Sequence, residues 1–154
     1  MRHAVLLCAA SLVLGACTGL NTGATRPTSS TLPAADVSQR LQAHRWELVY
    51  WEGTAVPHGD NGEPVILTFA EGRVSGHTGC NRSSAGYELD AAAMQLRILA
   101  PMSTRMACEE GRMAFEAVLL KALQGVRTLR FEGPHLYLEA PGQVALKLHE
   151  RELQ

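Results

Sequence analysis

The sequence predicts an α+β domain in which an antiparallel sheet is curled around one α-helix. Short stretches of alternating or β-branched residues recur between turn residues, and only Glu109 to Leu123 switches clearly to helical spacing. A single helix cannot cover a flat sheet of seven or eight strands on both faces, so the sheet must bend to form one core.

The front of the chain stands apart from that domain. Met1-Arg2-His3 puts a positive charge ahead of the apolar run Ala4 to Leu14, the layout of a secretory signal peptide and too short for a permanent membrane span. Leu14-Gly15-Ala16-Cys17 follows, with small residues that suit a peptidase pocket and a thiol that can carry a diacylglyceryl group. Leu7 is too bulky to serve Cys8 in the same way. The tetrapeptide resembles the lipobox of bacterial lipoproteins, which implies removal of residues 1–16 and lipidation of Cys17; an ordinary secreted protein cut nearby is the alternative. Thr18, where inner-membrane lipoproteins carry Asp, implies an outer-membrane anchor with the domain facing the periplasm of a Gram-negative envelope. Residues 17–36 are rich in Thr, Ser, Gly, Ala and Pro and read as a flexible tether. Residues 37–154 suffice for one domain with one core.

Within that domain, Val37 to His44 suggests a helical turn leading into a strand at Trp46 to Trp51. Gly53 to Gly62 is turn chemistry, and Pro64 to Phe69 is the next strand. Ala70-Glu71-Gly72 makes a tight hairpin into Arg73 to Asn81, where Gly76 and Gly79 mark close packing or a bulge. Strands follow at Gly86 to Leu89 and Met94 to Leu99, then Pro101 and a loop through Cys108. In the helix Phe115, Val118, Leu119, Ala122 and Leu123 share the apolar side, Glu116 and Lys121 fall on other faces, and Gly125 is the stop. Glu109 and Glu110 suit the positive end of its dipole. Three last strands occupy Thr128 to Phe131, His135 to Glu139 and Val144 to His149; Leu136 and Leu138 share one face, as do Val144, Leu146 and Leu148.

The charges are nearly balanced, 14 Lys and Arg against 15 Asp and Glu, and loss of Arg2 with the signal leaves 13 basic residues. No basic block stands out, which argues against a nucleic-acid partner. Two cysteines stay in the domain, Cys80 and Cys108, and an even pair in an oxidising compartment is expected as a disulfide. Two free thiols, or a metal pair with His77, are the alternatives, and one nearby histidine falls short of the four ligands of a structural zinc site.

Trp46, the strand Leu67-Thr68-Phe69, the run Gly76-His77-Thr78-Gly79-Cys80-Asn81-Arg82, Tyr87, Leu89 and the later Thr104-Arg105-Met106-Ala107-Cys108 occur in the order of the META domain. The chain resembles that family, the HslJ-like lipoproteins, over essentially all of the domain. The resemblance implies an antiparallel sheet bent into a partial barrel against one helix, and a part in heat or envelope stress and in antibiotic tolerance without catalysis.

No catalytic, cofactor or metal residue is expected. His77 near Cys80 suggests a thiol nucleophile with its base, but a bridge would consume the thiol. Asn81, Arg82, Thr104 and Arg105 flank the cysteines, so a bridge would gather them into a patch. As a binding patch it would offer guanidinium forks to a carboxylate or phosphate; as scaffold, Asn81 and Thr104 would satisfy backbone groups while the arginines meet solvent or Glu109 and Glu110. The scaffold is the commoner use. The functional expectation is a non-enzymatic envelope lipoprotein, held to the membrane by its lipid, that binds an envelope partner. A module for a lipid or other apolar ligand, and an inhibitor of an envelope-attacking hydrolase, are the alternatives.

Overall fold

The computed structural model describes residues 32–51, 56 and 62–153. Cys17, its lipobox, the tether up to Thr31 and most of the Gly53 to Asn61 turn region lie outside the described residues. Ala34–Ala43 forms helix α1, which opens where the Val37 N–H donates to the Pro33 carbonyl at 3.1 Å. Its first turn, Ala34 to Asp36, takes up the residues expected to end the tether. Val37 and Leu41, one helical turn apart, are its buried residues. Trp46 is fully buried, and its indole Nε1 donates to the Leu41 carbonyl at 2.9 Å. One side chain thus anchors the core and satisfies a carbonyl at the helix end that would otherwise lack a partner.

Nine strands follow: β1 (Arg45–Tyr50), β2 (Ile66–Ala70), β3 (Arg73–His77), β4 (Arg82–Asp90), β5 (Gln95–Ile98), β6 (Met102–Ser103), then α2 (Glu110–Gly125), and β7 (Thr128–Glu132), β8 (His135–Ala140) and β9 (Gln143–Arg151). Their order is β3-β2-β1-β9-β8-β7-β5-β4-β6, every pairing is antiparallel, and β3 also pairs with β4. The strands therefore ring around without making a regular barrel. The α+β class and the curled sheet are as expected from the sequence, with a second helix, α1, in place of the single turn expected there. β6 lies within the expected loop and pairs alongside β4 through Ser83–Ser103 and Ser84–Met102. The loosest junction is β5 to β7, where Gln95–Thr128 is the one register pair. The Leu96 N–H to the Arg127 carbonyl and the Leu129 N–H to the Met94 carbonyl, both 3.0 Å, support it.

Two backbone positions explain the β2–β3–β4 arm. Glu71 and Gly72 both have left-handed φ, 48° and 74°, which closes the two-residue hairpin with the twist that strands prefer. A Cβ at Gly76 would sit 1.9 Å from the Ile66 carbonyl oxygen, so only glycine permits this approach of β3 to β2.

The core draws on Trp46, Leu48, Leu67, Phe69, Leu96, Leu136, Leu138, Leu146 and Leu148 from the strands, with Phe115, Leu119 and Leu123 from α2. The buried face of α2 is rotated from the expected one: Val118 is 44% exposed, while Glu116, expected on another face, is 6% exposed. In β9 the inward position after Gln143 is Ala145 instead of Val144, because the β8–β9 register shifts between Leu138 and Glu139.

Candidate functional site

The segment between β3 and β4, Thr78 to Asn81, turns back on itself through a 2.9 Å bond from the Thr78 N–H to the Asn81 carbonyl. Gly79 has φ +105°, and an added Cβ there would meet the Phe115 ring at 3.3 Å. Cys80 is joined to Cys108 across a Cα separation of 5.9 Å, which fixes the turn to the stretch that enters α2.

Beneath that bridge lies a buried polar knot centred on Glu116. Its Oε2 accepts from the Asn81 N–H at 2.7 Å and from Thr78 Oγ1 at 3.0 Å, and its Oε1 accepts from Asn81 Nδ2 at 2.9 Å. Thr78 Oγ1 also lies 2.9 Å from Ser83 Oγ. Asn81 extends the knot outward: its Oδ1 accepts from Thr104 Oγ1 and from the Met106 N–H, both at 2.8 Å. Thr78, Asn81, Ser83 and Glu116 are the buried polar side chains among the described residues, and these bonds account for all of them. A carboxylate this deep is tolerable only with several donors aimed at it, and here a backbone amide, a side-chain amide and a hydroxyl supply them.

Of the four residues in the expected patch, Asn81 and Thr104 hold the knot, Thr104 Oγ1 also accepting from the Arg82 N–H at 3.2 Å, while Arg82 and Arg105 are exposed. Glu109 pairs with Arg112 at 3.7 Å. His77 accepts a long 3.4 Å bond from the Gly79 N–H on Nδ1. The stretch from Met102 to Ala107 is exposed throughout, with Met102 at 69% and Met106 at 61%. Glu116, Thr78 and Ser83 were missed by sequence reasoning. Glu116 lies three residues before Leu119 and seven before Leu123, so a stripe centred on Leu119 runs directly over it.

Elsewhere the outer face of β7–β8–β9 is a charged ladder. Arg130 lies 3.7 Å over the Tyr137 ring and bonds Glu139 at 2.8 Å and Glu132 at 2.6 Å. The bond from Arg130 and its charge hold the Glu132 carboxyl below its ordinary range. Desolvation, then the charges of Lys147 and His149, lower the His135 pKa from its ordinary 6.5. His135 stands opposite His149 with ring centroids 5.1 Å apart. Among the described residues, no three His, Cys, Asp or Glu side chains converge to hold a metal, and no helix is long and apolar enough to cross a membrane.

The space between α2 and the sheet that is bordered by Leu67, Val74, Ala85, Ile98, Leu120 and Leu123 is about 20 Å³, room for about one water and far too little for an acyl chain. By contrast, the outer face of β1 to β4 carries an open groove of about 660 Å³.

With this geometry in place, comparison with known families matches residues 39–152 to the META domain. A protein from Burkholderia xenovorans solved by NMR is 29% identical, with TM-score 0.61 over 77% of this chain and 88% of the other. A second NMR structure is 22% identical, with TM-score 0.57 over 77% and 94%. A DUF4847 family protein from Bacteroides vulgatus, 14% identical with TM-score 0.52 over 77% and 99%, shares the fold. No protein of curated function matches the chain.

Proposed function

This chain belongs to the META domain family, and from that premise we propose that it is a non-enzymatic, lipid-anchored protein of the cell envelope, contributing to heat or envelope stress and antibiotic tolerance by binding an envelope partner. The observation that carries the binding role is how the two sequence motifs are used. Their reactive groups are already engaged: Cys80 and Cys108 in the bridge, and Thr78 and Asn81 in the knot with Glu116 of α2. What they hold out to solvent is Met102 to Ala107, an exposed stretch fixed from behind by the Thr104 N–H to the Arg82 carbonyl and the Met106 N–H to Asn81. A pre-ordered stretch bearing Met102, Arg105 and Met106 suits protein contact, because little ordering entropy is left to lose on binding.

The packed interior favours this reading over an apolar ligand enclosed by the sheet. A hydrolase inhibitor would use the same exposed stretch, and the identity of the partner separates the two. The test is photo-crosslinking from position 105 in cells under heat stress, with the full chain. A discrete partner is expected, lost in Met106→Asp while the domain keeps its melting temperature; an unchanged background with and without the substitution would overturn the binding role. For the anchor, Cys17→Ala should release the protein from membranes, and membrane retention equal to the parent would refute lipidation at Cys17.

A further inference from the structure

The open groove on the outer face of β1 to β4 borders the knot only at Ser83 and takes no part in the bridge. Antiparallel register sets Arg45, Thr68, Ser75 and Ser84 side by side across four strands, and sets His77 opposite Arg82 in the next row. These six residues line the groove together with Ile66 and Glu63, the one carboxylate among the residues that form it. Small hydroxyl side chains at its centre, between long cations at its ends, make it concave.

Two of the arginines that have no glutamate partner meet at this place. Arg40, Arg97, Arg112, Arg130 and Arg151 each pair with a glutamate. Arg45 and Arg82, like Arg73, Arg105 and Arg127, make no such pair among the described residues, and it is these two that line the groove. Between them, Thr68 and Ser75 offer hydroxyls engaged by no other described side chain, and Ser84 Oγ has only a 3.5 Å contact from Arg73.

We propose that this groove binds a short anionic sugar chain. The guanidinium groups meet carboxylate or phosphate substituents, and the hydroxyls of Thr68, Ser75 and Ser84 exchange hydrogen bonds with sugar hydroxyls over the Ile66 side chain. From Arg45 to Ser84 is three strand spacings, roughly 14 Å, so the chain must be elongated to touch both ends. An acidic peptide fits less well. Peptides dock on sheets by adding a strand to an edge, and β1, β2 and β3 already have a neighbouring strand on each side. Recognition here must come from side chains alone.

The inference goes beyond partner binding through Met102 to Ala107 and is tested apart from it. The full chain in neutral detergent is titrated calorimetrically with tetragalacturonate, with an uncharged galactose tetramer and with tetraglutamate. Saturable binding of tetragalacturonate is expected, weakened at least tenfold in Arg45→Ala and, by filling the groove, in Ser75→Phe, both with parental melting temperature. Absence of saturable binding, equal binding of the uncharged tetramer or of tetraglutamate, or parental affinity in both variants would overturn the proposal. Should Ser75→Phe fail to fold, Arg45→Ala alone decides. Crosslinking from position 105 is expected to be unchanged in Arg45→Ala, so loss of one interaction does not imply loss of the other.

Discussion

Replacing Glu116 by glutamine tests the buried knot at its centre, because the change is nearly isosteric, removes the charge and turns one acceptor oxygen into a donor. The glutamine oxygen can take the place of Oε2 and keep the bonds from the Asn81 N–H and Thr78 Oγ1. Its amide nitrogen then confronts Asn81 Nδ2, donor against donor, where the parent has a 2.9 Å bond. Asn81 cannot turn its amide over to help, since its Oδ1 is already held at 2.8 Å by both Thr104 Oγ1 and the Met106 N–H. One hydrogen bond to a charged acceptor is lost and two weaken, a cost of about 2–3 kcal/mol. Asn81→Asp alone sets a second buried carboxylate against the first, and their repulsion, or holding one of them protonated at neutral pH, should cost about 3–5 kcal/mol. Combined, the two substitutions restore every donor to an acceptor: the introduced glutamine amide faces the introduced aspartate carboxylate, whose other oxygen still receives Thr104 and Met106. The double variant should lie within about 1 kcal/mol of the parent, which makes the coupling energy at least about 4 kcal/mol. Urea unfolding of the four proteins under non-reducing conditions, with unchanged denaturant slopes as the control, measures the cycle. Costs that merely add would refute the assigned donors and acceptors.

Removing the bridge with Cys80→Ser and Cys108→Ser opens a loop of sequence separation 28 and should lower stability by about 3–4 kcal/mol in the chain-entropy account, read by the same unfolding assay; a loss under about 1 kcal/mol would count against that account. Gly76→Ala should cost at least about 3 kcal/mol because its Cβ meets backbone, whereas Gly111→Ala, with open space around it on α2, should gain about 0.5 kcal/mol; melting curves that rank them the other way would contradict the close approach of β2 and β3. His135 should titrate below its ordinary 6.5, so its contribution to stability is present above that pH and is lost as pH falls through the lower folded value. Lys147→Gln should move the His135 NMR titration midpoint upward, and a midpoint that stays put would exclude Lys147 as a cause.

The strands and the single strong helix were legible because burial on one side leaves a period in the sequence. The Glu71-Gly72 hairpin was legible from turn chemistry, and Gly76 from its place inside a strand. Helix α1 is legible in the sequence only as a turn, since Val37 and Leu41 are its only buried residues and the rest of its surface is polar or small. The knot was hidden for a physical reason. A glutamate in an amphipathic helix is ordinarily a solvated residue, and what makes Glu116 a core residue is a cluster of donors at Thr78 and Asn81, about 35 positions away along the chain. Sequence periodicity registers where a side chain points, not which distant groups are waiting there.

The junction of β5 and β7 has a mechanical consequence. With a single register pair at Gln95–Thr128, it is the line along which the ring parts most easily. Helix α2 spans that line as a strap, fastened near its start to Asn81 through Glu116 and continuing after Gly125 through Val126 and Arg127 into β7. Opening of the ring there would pull on the strap, so Glu116→Gln should speed amide exchange at Leu96 and Leu129, and unchanged exchange would refute that coupling.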